Sequence, residues 1–164
     1  MRLSKLPAFL FVLIVLTLVS SCSSPSIDVA ATIKVTNLTT GWFDAGIVNG
    51  MNKLVPSASF TVVNTGTTAL SGLQVFSVFR FNGETQELGS SLIILHGQDA
   101  LAPQGTSKAL TVRGNWGFSG QQPRNQMLVN KYFKDAHIEV FAKYAAGQFV
   151  KLIDVPVKRQ LLTH

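Results

Sequence analysis

Apolar and polar residues alternate in twos along most of the chain. In ATIKVTN, Ile33 and Val35 alternate with Thr32, Lys34 and Thr36. In SASFTVVN, Ala58, Phe60 and Val62 alternate with Ser57, Ser59 and Thr61. KALTVRG sets Leu110 and Val112 against Ala109, Thr111 and Arg113. AHIEVFAKY places Ala136, Ile138, Val140, Ala142 and Tyr144 opposite His137, Glu139 and Lys143, and IDVPVK places Ile153, Val155 and Val157 opposite Asp154, Pro156 and Lys158. A period of two sends successive side chains to opposite faces, so each segment predicts a strand with one buried and one wet side.

Two segments are apolar on both faces. LQVFSVFRF carries Leu73, Val75, Phe79 and Phe81 on one side and Phe76 and Val78 on the other, and SSLIIL is similar. Both predict central strands, or strands covered by a neighbour. Turn signals separate the segments: Asn64-Thr65-Gly66, Asn82-Gly83, Pro103-Gln104-Gly105 and Ala146-Gly147. Asn82-Gly83 predicts a hairpin. Pro156 cannot donate to a ladder, which predicts an edge position for the last strand. Sustained helical periodicity is absent; residues 126–135 accommodate at most one short helix. Seven or eight short strands predict an all-β, antiparallel, immunoglobulin-like sandwich, with a small barrel as the alternative.

The N-terminus breaks this pattern. Arg2 and Lys5 precede an apolar run from Pro7 to Val19, about 13 residues, the length of a signal-peptide core and short of the roughly 20 needed to span a bilayer. Small residues follow, then Cys22, the single cysteine of the chain. Val19-Ser20-Ser21-Cys22 resembles the bacterial lipobox. That resemblance implies acylation of the Cys22 sulfur, cleavage before it, and a membrane anchor made of the acylated residue. The alternatives are a plain signal peptide with an incidental cysteine, or an uncleaved anchor. The implied organisation is a signal peptide over 1–21, a lipidated tether over 22–27 and a β-sandwich over 28–164. Ser23, a non-aspartate after the cysteine, implies the outer membrane of a two-membrane bacterium.

Removing 21 of 164 residues leaves 143, enough for one domain with its own core. The 14 Lys and Arg lose two, leaving 12 against 8 acidic residues and a net charge of +4. This mild excess gives no reason to expect nucleic acid. A solvated surface accounts for it, and it is also compatible with loose attraction to anionic lipid or polysaccharide.

The stretch from Ala58 to Val112 looks like FxLYD-type and related immunoglobulin-like domains of bacterial envelope lipoproteins. It has an apolar strand ending in Asn before a Thr/Gly turn, an alternating strand, an Asn-Gly hairpin and a return strand. LAPQGTSKALTV resembles the run before such domains' next strand. Phe79-Arg80-Phe81-Asn82 stands in place of the aromatic-leucine-tyrosine-aspartate run. The resemblance implies an exported binding or structural module, with no catalytic residues to carry over.

Candidate chemistry is sparse. His96 precedes Asp99 by three residues, and His137 shares a strand face with Glu139. Either pair offers a weak metal contact or an acid–base couple, and a hydrolase built on them is the enzyme reading. Solvated surface is the more ordinary one. His164 ends the sequence. GFSGQ lacks the Gly-x-Ser-x-Gly spacing. No metal, cofactor or catalytic residue is assigned. The segment RGNWGFSGQQPRNQM stands out, with Trp116 and Phe118 among amides and glycines and Arg113 and Arg124 at its flanks. TTGWFDAG repeats the theme with Trp42 and Phe43. Aromatic rings beside guanidinium and amide groups suit a sugar face or a protein partner; alternatively these tryptophans plug one end of the sandwich. The function expected is an envelope lipoprotein that binds an envelope protein or polysaccharide, with a purely structural spacer as a further alternative.

Overall fold

The computed structural model describes residues 27–162. Cys22, the residues before it and His164 lie outside them. A single helical turn, α1 (Val29–Thr32), opens the fold, with the Asp28 carboxylate accepting a hydrogen bond from the Ala31 N–H at 3.1 Å. The strands are β1 (Ile33–Val48), β2 (Met51–Asn64), β3 (Leu73–Phe81), β4 (Glu87–Leu95), β5 (Leu110–Arg113), β6 (Phe118–Gly120), β7 (Ala136–Lys143), β8 (Val150–Pro156) and β9 (Leu161–Leu162). A second helical turn, α2 (Arg124–Met127), follows β6. The helix allowed over 126–135 thus begins two residues earlier.

The strands form two sheets. One has the order β5-β2-β1-β9, with β6 also paired to β2; the other has the order β4-β3-β7-β8. All pairings are antiparallel except β1 with β9. The expected all-β sandwich is the observed fold. Its first, second and fifth strands face its third, fourth, seventh and eighth, which is the immunoglobulin-like division between sheets. β8 is an edge strand, and Pro156 sits at its last position.

The alternating segments bury the faces that the sequence marks. Ala58, Phe60 and Val62 of β2, Leu110 and Val112 of β5 and Ala136, Ile138, Val140 and Ala142 of β7 meet Leu73, Val75 and Phe79 of β3 in one core. Each large side chain buried this way contributes roughly 1.5–3 kcal/mol relative to exposure. Asn64 closes the end of β2. It is fully buried, its amide donating to Thr68 O at 2.8 Å and Ala102 O at 3.0 Å, while its Oδ1 accepts from Gly66 N–H at 2.9 Å. The strand-ending Asn therefore ties two loops together.

One segment left without an element gains one, and one expectation needs correction. The TTGWFDAG segment is the second half of β1, a 16-residue strand. Register shifts between Thr36 and Thr39 and between Asp44 and Ile47 add a residue each time and break the alternation that would have marked it. SSLIIL in β4 is neither central nor covered. β4 is an edge strand, and Leu92 and Ile94 lie 52% and 49% exposed on its outer face.

The register also gives the molecule two distinct ends. Ile33 pairs with Asn64, and Leu73 with Leu95, at the end where the described chain begins. Val48 pairs with Met51 at the opposite end. Thirteen steps along β2, at about 3.4 Å each, separate these ends by roughly 45 Å.

Candidate functional site

The sequence-selected aromatics do gather at the far end, but in two environments. Trp42 is fully buried, its ring edge-to-face with Phe133 at 4.6 Å. Phe118 packs on the same Phe133 at 5.0 Å. Trp42 thus corrects the binding assignment: no surface of it is free to touch a partner, because it fills the space between the sheets. β6 carries Phe118 there by pairing with Leu54, which also pairs with Asp44. Gly117 makes this approach feasible, since a Cβ there would stand 2.0 Å from Leu54 O.

Trp116 is 67% exposed, so it is not the plug. Its backbone N–H donates to Leu88 O at 2.8 Å. Lys53 Nζ lies 5.4 Å from its ring centroid and donates to Asn115 O at 2.8 Å. The ring is therefore held in position with most of its surface open to solvent. Exposed Ile47, Val48 and Met51 occupy the tip of the β1–β2 hairpin at this same end of the molecule.

Arg113, Phe43 and Arg124 converge on the outer side of the first sheet. The Arg113 guanidinium stacks 3.6 Å above the Phe43 ring. Arg124 forms an ion pair with Asp44. The Arg124 hydrogen bond holds the Asp44 carboxyl below the usual carboxylate range, assisted by the Gly46 N–H at 2.8 Å. The edge strand β9 borders this surface, and its two leucines line two hollows. One, about 440 Å³, is lined by Thr39, Ser57, Ser59, Thr111, Arg113 and the two leucines of β9. The other, about 390 Å³, is lined by Phe43, Asp44, Arg124 and the same leucines. Leu162 comes this close because residue 41 is glycine; a Cβ there would meet Leu162 Cγ at 2.7 Å and Gln160 O at 2.8 Å.

The larger hollow has a specific chemistry. Its floor is hydroxyl-bearing, because the outer positions of β1, β2 and β5 are Thr39, Ser57, Ser59 and Thr111. Its walls are a cation and two leucines. Hydroxyls donate and accept, and a guanidinium donates several hydrogen bonds in one plane. Such a set suits a polyhydroxylated ligand or an extended peptide segment. The leucines of β9 are the site residues that sequence reasoning missed. A two-residue strand carries no periodicity, and its position depends on a parallel pairing with residues 119 positions earlier.

The histidine pairs are placed differently. His137 Nδ1 lies 3.2 Å from Asn82 Oδ1, beside a hollow formed by Gly83, Asp154 and Pro156. Glu139, its neighbour on the strand face, is committed to Arg80 and to Lys151, the latter at 2.8 Å. His96 is exposed at the start of a short 3-10 turn, and Asp99 pairs with Lys108 at 3.0 Å. Among the described residues no three His, Cys, Asp or Glu side chains gather as a metal-binding group, and no helix is long and apolar enough to cross a membrane.

No family model matches the chain, and no curated protein matches it. Among solved structures, the X-ray structure of Northeast Structural Genomics Consortium target SoR45 is similar over 79% of this chain and 85% of that chain, with 14% sequence identity and a TM-score of 0.42.

Proposed function

We propose that the protein is a lipid-anchored cell-envelope lipoprotein whose sandwich binds an envelope polysaccharide or protein. The observation that carries this reading is the pair of hollows beside β9: Arg113 lines the hydroxyl-floored one, Phe43 and Arg124 line the other, and Arg113 stacks on Phe43. Exposed Trp116 adds a second aromatic contact toward the end of the domain farthest from residue 27. A binding surface placed there would face away from the membrane that holds acylated Cys22. The lipobox resemblance supplies the anchor, and two or more acyl chains are what stable membrane attachment requires.

The test is in-cell cross-linking of the lipidated protein followed by mass spectrometry, alongside an Arg113→Ala, Trp116→Ala double variant. Both positions are exposed, so the variant keeps its fold. A defined glycan or protein captured by the natural chain and lost in the variant is the expected result. Equal capture by both would move the site elsewhere. Capture by neither would make the domain a spacer.

A further inference from the structure

The geometry points to a second contact: the end of the sandwich nearest residue 27 rests on the lipid surface that anchors the chain, through Leu92, Ile94, Phe149 and the loop 144–149. This inference rests on the lipid-anchor reading of Cys22. Five chain steps separate Cys22 from Ile27, spanning at most about 18 Å when fully extended. The β1–β2 turn lies at the opposite end, so it is the Ile33 and Leu73 end that the tether keeps at the membrane.

That end is built for a lipid surface rather than for water. The register aligns Ile94, Gln74 and Lys143 in one row across the outer face of the second sheet, and Leu92, Phe76 and Phe141 in the next. Phe76 packs against Phe141 at 6.1 Å and Phe149 at 5.8 Å. Leu92, Ile94 and Phe149 are 52%, 49% and 43% exposed. Large apolar groups left together on a surface mark an interaction site. The loop 144–149 reads Tyr-Ala-Ala-Gly-Gln-Phe and the loop 65–72 Thr-Gly-Thr-Thr-Ala-Leu-Ser-Gly; neither holds a charge. In the third loop at this end, 96–106, the Asp99 carboxylate is paired with Lys108.

Lys143 ends the first of these rows and Lys151, paired with Phe141, ends the second; the carboxylates lie beyond them. Arg80, Glu87, Glu139, Lys151 and Asp154 form a connected ion-pair network on the same outer face. The large apolar groups of this face therefore lie toward the tether, edged by two lysines, and its carboxylates lie farther from it. Lys143, whose Nζ lies 5.6 Å from the Phe149 ring centroid, stands at the rim of the apolar rows, where a cation meets anionic headgroups. Aromatic and aliphatic groups at a rim of lysine are the composition of interfacial contacts, which bury apolar side chains about 5–10 Å deep. With two or three such side chains inserted, the domain is held in one orientation instead of turning freely on its tether.

The test uses the full lipidated chain carrying Phe149→Trp, a substitution of one exposed aromatic by another. It is reconstituted in phosphatidylethanolamine and phosphatidylglycerol vesicles with or without brominated acyl chains. Subtracting the natural chain's emission isolates the new tryptophan. The expected result is a blue-shifted emission that loses roughly half its intensity or more in brominated vesicles, as an insertion depth of about 5–10 Å requires. A chain that floats with the vesicles but shows no quenching at position 149 would overturn the inference and leave the anchor standing. A natural chain recovered from its cells without acyl groups on Cys22, and found with the aqueous fraction, would overturn both the anchor and the inference. Energy transfer between copies labelled at position 94, without lipid quenching, would assign the face to self-association instead.

Discussion

Removing Trp42 separates its structural role from the surface role of Trp116. Its ring is fully buried and meets Phe133 edge-to-face at 4.6 Å, while its Nε1 finds no hydrogen-bond acceptor among the described residues. Trp42→Ala loses the transfer free energy of the ring and leaves a cavity, together about 3–5 kcal/mol. The lost aromatic pair adds about 0.5–1.5 kcal/mol. Deleting a buried donor without a partner returns about 1 kcal/mol. The net expectation is about 4 kcal/mol, or on the order of 15 °C in Tm for a domain of this size. Trp42→Phe keeps a ring against Phe133 and removes the same donor, so it costs about 1 kcal/mol or less. Urea and thermal unfolding followed by circular dichroism measure both, with Trp116→Ala as the exposed control expected within about 0.5 kcal/mol of the natural chain. A cost below about 1 kcal/mol for Trp42→Ala, or equal costs for the alanine and phenylalanine variants, would refute the assignment of this ring as the plug of the core.

Gly41→Ala sets a Cβ within 3 Å of Leu162 and the Gln160 carbonyl, so β9 is expected to leave β1; amide exchange at Trp42, whose N–H donates to Gln160 O at 2.8 Å, should accelerate while the second sheet stays protected. The Arg159 hydrogen bond is the largest influence on Asp135 and holds its carboxyl below the usual range. A depressed folded-state pKa stabilises above the unfolded value and is lost as pH falls through the folded one. Stability should therefore fall below about pH 4, with a smaller fall in Asp135→Asn; an identical acid profile in the two proteins would remove this pair from the explanation.

The strands that alternate without interruption were legible because each contributes one face to a single core. β7 is the clearest case: every second residue from Ala136 to Ala142 is buried. The Asn82-Gly83 turn was legible for a local reason, the positive φ of 77° at Gly83, which glycine adopts without strain. β1 was legible only to its first bulge. At Asn37 the backbone takes φ 50°, and beyond it Gly41 and Gly46 look like loop residues although Gly41 is there to let another strand approach. The exposed β4 leucine and isoleucine misled for a different reason. Apolar residues on both faces predict cover, and cover by another molecule leaves the same sequence signature as cover by the fold. The candidate site was half legible: its arginines and Phe43 stand out from their neighbours, whereas the serines and threonines of the hollow are ordinary outward positions until the sheet brings them side by side.

β1 joins the two ends of the molecule in one strand of 16 residues carrying two bulges. A strand rises about 3.3 Å per residue, against a maximum near 3.6 Å for the same chain pulled straight. Its contour length is thus already nearly spent. Tension applied between the hairpin tip and Ile33 passes through covalent bonds, with about a tenth of the strand's length as slack and a little more held in the two bulges. The domain behaves under such a load as a stiff rod, passing displacement from one end to the other almost undiminished.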